Sequence, residues 1–72
     1  MSAARAAGYL LDQGPYRRAL AVELARGIIE DACSPADEVA AASVVLRQAG
    51  YLDEARAAAG SAAARGASVP LD

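Results

Sequence analysis

Residues 34–50, Ser34-Pro35-Ala36-Asp37-Glu38-Val39-Ala40-Ala41-Ala42-Ser43-Val44-Val45-Leu46-Arg47-Gln48-Ala49-Gly50, carry a start, a face and a stop for one helix. Ser34 is a candidate N-cap. Pro35 suits the first helical position, where its missing N–H costs nothing, and Asp37-Glu38 place negative charge on the helix N-terminus. Val39, Ala42, Val45, Leu46 and Ala49 then recur on one face before Gly50 ends the run. Gly and Pro divide the rest of the chain in the same way. A first segment spans about Ser2 to Gln13, with Ser2 as a possible cap, and stops at Gly14-Pro15. A second runs from about Pro15 to Ala32, and a fourth from Tyr51 to about Arg65, ending near Gly66. The remainder, 68–72, reads as a flexible tail that Pro70 keeps out of any helix. The expectation is one all-α domain over residues 1–67, made of four short helices.

Composition supports this class and removes others. Of 72 residues, 21 are Ala, against seven Leu, five Val, two Ile and three Tyr, so a strand-rich sandwich or barrel lacks its β-branched and aromatic faces. No apolar run of roughly 18 residues is present, which excludes a spanning helix. His, Trp, Phe and Lys are absent and Cys33 stands alone. Zinc and haem sites therefore lose their usual ligands, and Ser/His/Asp or Cys/His nucleophilic arrangements cannot form within the chain. No cofactor or metal is expected. Met1-Ser2-Ala3-Ala4-Arg5 leads into no apolar stretch, and with a single Cys the expected location is the cytoplasm.

A helical wheel separates the segments. On the second, Tyr16, Leu20, Leu24 and Ile28 form one stripe and Val22, Ala25, Ile29 and Ala32 another beside it, which predicts a central helix covered on more than one side. The fourth presents Leu52, Ala55, Ala59, Ala62 and Ala63. Alanine favours helix but buries little area, so this helix is expected to be the most weakly anchored.

Aligning the chain with itself at an offset of 36 matches Gly14-Pro15-Tyr16-Arg17-Arg18-Ala19 to Gly50-Tyr51-Leu52-Asp53-Glu54-Ala55, and Ala3, Ala6, Ala7 and Leu10 to Val39, Ala42, Ser43 and Leu46. Each half then reads as an αα-hairpin, about 2–32 and 34–66. Leu10 or Leu46 and Tyr16 or Leu52 would fill the space near each turn. On these residues the chain resembles the tetratricopeptide repeat family over roughly residues 3–67, with Ala19 and Ala55 at the small position early in the second helix. It departs where the family's second-helix aromatic falls on Glu23 and Ala59. The resemblance implies two stacked antiparallel hairpins, the alternative being a simple four-helix bundle. It also implies an inner surface lined by Gly8, Leu11 and Asp12 in the first half and by Val44, Arg47 and Gln48 in the second, with Arg47 as the ionic anchor.

Other features have simpler readings. The doublets Asp37-Glu38 and Asp53-Glu54 belong to first helical turns, where the dipole accounts for them, and Glu30-Asp31 lacks calcium-loop spacing. Cys33 reads as a small buried hydrophobe. Ala49-Gly50-Tyr51-Leu52 resembles the turn after a winged-helix recognition helix, but helix rather than a basic wing follows it. A net charge of −2 with dispersed arginines disfavours nucleic acid. Chains below roughly 70–80 residues usually need a staple, and neither a disulfide nor a metal supplies one here. The expected role is a non-catalytic protein–protein interaction module, self-associating or serving as a small subunit or adaptor. The alternatives are an accessory subunit of an enzyme, or a small DNA-binding, antitoxin-like regulator.

Overall fold

The computed structural model describes residues 2–66, and the expected tail lies outside them. The protein is all-α. Four helices follow in order: α1 (Ala3–Leu10), α2 (Pro15–Glu30), α3 (Ala36–Gln48) and α4 (Leu52–Ala64). The punctuation works as its chemistry demands. Ser2 Oγ accepts the Arg5 N–H at 3.1 Å, capping α1. Gly14, Gly50 and Gly66 adopt φ of 105°, 97° and 108°, a left-handed region that other residues enter only at a cost. At Gly50 the chain closes a Schellman motif. The Gly50 N–H donates to the Arg47 carbonyl and the Tyr51 N–H to the Leu46 carbonyl, both at 3.0 Å.

Side-chain contacts fix the helix directions. The Ala4 N–H donates to Glu38 Oε2 at 3.3 Å, so α1 and α3 begin side by side. Arg18, near the start of α2, donates to the Gln48 carbonyl at the end of α3 (3.1 Å). Arg65, just past α4, donates to the carbonyls of Ile29, Asp31 and Ser34 between α2 and α3 (2.7–3.4 Å). Helices α2 and α4 thus run opposite to α1 and α3. In two of these ties a guanidinium satisfies carbonyls at another helix's C-terminus, where cations are favoured by the dipole.

The hub of the core is α3, which packs against all three other helices. It buries Val39, Ala42, Ser43, Val45 and Leu46, matching the face read from its sequence. This overturns α2 as the central helix. Only Ala21, Val22 and Ala25 of α2 are buried, whereas Tyr16, Leu20 and Leu24 are 76%, 41% and 41% exposed. Small residues let α2 approach α3 closely, and in this arrangement the bulkier stripe is left on the outside. Tyr16 and Leu52 likewise do not fill the space near the turns, since Leu52 is 58% exposed. Helix α4 meets its neighbours through Ala55, Ala58, Ala59 and Ala62, so its anchorage is made of methyl groups. The connection between α2 and α3 also differs from expectation. Cys33 is exposed, and Ser34 does not cap α3: its Oγ donates to the Ile28 carbonyl at 2.6 Å, closing the end of α2.

The main charged link is Arg26. Its Nε and Nη2 donate to the two Glu54 oxygens (2.9 and 2.8 Å), Nη1 reaches Glu23 (3.2 Å), and the guanidinium lies 5.1 Å from the Tyr51 ring centroid. The forked hydrogen bond from Arg26 holds the Glu54 carboxyl below its ordinary value of 4.5. A carboxylate depressed in the folded state contributes stability that is present above its ordinary value and lost as pH falls through its folded one. Acid unfolding of Glu54→Gln should therefore be less steep below pH 4.5 than that of the wild type, and 1 M NaCl should narrow the difference by screening this exposed pair.

The inverted roles of α2 and α3 give a second test. Leu46, 1% exposed, should cost about 2–5 kcal/mol on truncation to Ala. Leu24→Ala should cost less than about 1 kcal/mol, as surface changes do. Urea denaturation of both variants in dilute solution checks the order, and a larger loss at Leu24 would restore α2 as the centre.

Candidate apolar docking groove

The two apolar stripes of α2 have separate fates. Val22 and Ala25 turn into the core with Ala21, while Leu20 and Leu24 are exposed and line an open groove of about 590 Å³ together with Ile28, which is half-buried and also packs against the core. Ala3 of α1 closes one side, and Gly27 lies on α2 among the lining residues. A Cβ added at Gly27 would meet nothing within 4 Å, so its missing side chain leaves room in the groove and relieves no crowding. Glycine inside a helix costs roughly 0.5–1 kcal/mol relative to alanine, which makes that open space a structural expense.

The polar lining is one-sided. Glu23, Asp31, Glu38 and Ser34 contribute, and no arginine does. Each carboxylate has a local partner. Glu23 meets Arg26 at 3.2 Å, Asp31 Oδ1 accepts the Cys33 N–H at 2.9 Å, and Glu38 accepts the Ala4 N–H. Of the three, only Glu23 faces a guanidinium. Asp31 and Glu38 accept backbone N–H groups and make no ion pair among the described residues. Among the described residues no group of His, Cys, Asp and Glu could hold a metal ion. The chemistry on offer is apolar burial beside negative charge.

The residues singled out by the repeat resemblance lie elsewhere. Gly8 and Val44 are half-buried on α1 and α3, which pack together, and Asp12, Arg47 and Gln48 are exposed. Leu11 is a correction. It is 6% exposed within the core cluster that includes Val45 and Leu46, so it supports the junction of α1 with α3 and lines no surface. The Gln48 carbonyl is already engaged by Arg18. None of the six lines the groove on α2. The signal that could have located that groove was the doubled stripe itself, because an Ala-rich chain has too little covering surface for both halves.

No helix is long and apolar enough to cross a membrane among the described residues. Comparison with protein-family models, with curated proteins and with solved structures finds no match for the chain.

Proposed function

We propose that this chain is a non-catalytic helical interaction module, a small subunit or adaptor that works by docking. One observation carries this reading: the distribution of bulk is inverted. The largest fully buried side chains are Leu46 and Val39, while Tyr9, Tyr16, Leu20, Leu24, Tyr51 and Leu52 are exposed. All three tyrosines and three of the seven leucines therefore face solvent. Scattered apolar residues on a surface are ordinary, but a row that lines a groove marks an interaction site. Leu20 and Leu24 form such a row with Ile28.

The free energy of the isolated chain points the same way. An interior built largely from Ala recovers little transfer free energy per residue, because each buried methyl removes far less area than a Leu or Phe side chain. Covering the α2 stripe would add burial that the four helices do not provide. The tetratricopeptide-like arrangement belongs to this proposal and rests on residue spacing rather than on packing. Of its six residues, Leu11 is in the core, and the other five form at most a second, shallower surface.

The test compares a tagged wild-type chain with a Leu20→Lys/Leu24→Lys variant in the native cell, each together with an untagged copy. Both positions are 41% exposed, so the variant should keep its helical circular dichroism. Proteins captured by the wild type, the untagged copy included, should be lost from the variant. Equal recovery with both would overturn docking through α2.

A further inference from the structure

We infer that the groove on α2 is occupied by a second copy of this chain, with the two α2 helices antiparallel about a two-fold axis at Leu24. The inference deepens the docking reading and rests on it. The row that borders the groove runs Arg17, Leu20, Leu24, Ile28 and the C-cap Asp31, at spacings of three, four, four and three residues, with Ile28 half-buried against the core. These steps keep all five on one side of a helix. The order is also symmetric about Leu24. An antiparallel mate places Leu24 on Leu24, Leu20 on Ile28 and Arg17 on Asp31, each contact made twice. That self-complementarity is the requirement of an isologous two-fold interface.

The charges fit this pairing. Arg18, Arg26 and Arg65 are engaged within their own chain, on the Gln48 carbonyl, on Glu54 and Glu23, and on the carbonyls between α2 and α3. Arg17 is exposed at the start of α2, and its side chain, like those of Arg5, Arg47 and Arg56, makes no ion pair or hydrogen bond among the described residues; of these four it is the one on α2. The carboxylates of Asp31 and Glu38, which line the groove with Ile28, make no ion pair among the described residues, although Arg65 reaches the Asp31 backbone carbonyl. Antiparallel pairing brings Arg17 of one copy to Asp31 and Glu38 of the other, at both ends of the contact. Parallel pairing would instead set Arg17 against Arg17 and Asp31 against Asp31, which is unfavourable. The open space at Gly27 lies next to the two-fold, where a second helix must approach closely.

Sedimentation equilibrium of the purified full chain decides the matter, with circular dichroism as a check on folding. The wild type should dimerise at micromolar concentration and Leu24→Asp should be a helical monomer. Arg17→Asp and Asp31→Arg should each weaken the dimer about tenfold, because two symmetry-related contacts turn from attraction to repulsion. The double variant Arg17→Asp/Asp31→Arg should recover to within about threefold of the wild type, since the swap restores opposite charges only in the antiparallel register. If Leu24→Asp fails to fold, the charge series decides alone. A monomeric wild type overturns the inference; a partner still captured through Leu20 and Leu24 would then leave the docking reading intact. A dimer indifferent to Leu24→Asp also overturns the inference, since the copies then meet through another face, while the docking reading falls only if capture is equal for the wild type and the Leu20→Lys/Leu24→Lys variant. A double variant as weak as the single ones overturns the antiparallel register.

Discussion

Everything in this structure depends on how closely α3 can be approached by its neighbours. The contact surfaces of α2 and α4 are Ala21, Val22 and Ala25 on one side and Ala55, Ala58, Ala59 and Ala62 on the other. Small side chains bring helix axes together and fill the space between them. The gain per residue is small, however, because an alanine methyl removes little apolar area from water. Leu46 and Val39 are the largest side chains fully enclosed. A core of this kind has a defined geometry and a modest driving force. Polar ties assume a larger share of the work of holding the helices in register.

Those ties are arginines placed at helix ends. Arg18 closes the end of α3, and Arg65 binds three carbonyls between α2 and α3 from the far side of α4. Arg26 bridges α2 to the first turn of α4 through Glu54. Each replaces water at groups that helix geometry leaves without partners, or joins charges that the helix dipole already favours. Arginine suits this role because its planar fork can donate to several oxygens at once.

The local part of the fold was legible in residues 34–50 and their neighbours. The ends of α3 and α4 follow from Gly50 and Gly66, whose positive φ is a backbone property of the residue type, and the buried face of α3 follows from its spacing. Helix α1, by contrast, stops at Leu10, short of the expected Gln13, and Gly14 caps the start of α2. What periodicity cannot assign is which of two adjacent apolar stripes meets a neighbour. On α2 the wheel shows an apolar arc wide enough for both answers, and the choice is made by α3, which admits Ala and Val in preference to Leu. Ser34 illustrates the same limit at shorter range. A hydroxyl at a helix boundary can serve the helix that follows or the one that precedes, and here it bonds back to Ile28. The candidate groove was hidden for the first of these reasons, and Leu11 was misplaced because residue spacing does not report depth.

The position of the bulky stripe links folding to association. Burying Leu20, Leu24 and Ile28 against a second copy would add apolar burial of the size that large aliphatic side chains provide, to a monomer whose interior offers mostly methyls. If such a dimer forms only from folded chains, the stability gained would depend on concentration by mass action, and the folded population would rise with the amount of protein. An interior built largely from alanine and an exposed pair of leucines on α2 belong to the same packing arrangement, and under the proposed pairing the second would supply burial that the first leaves out.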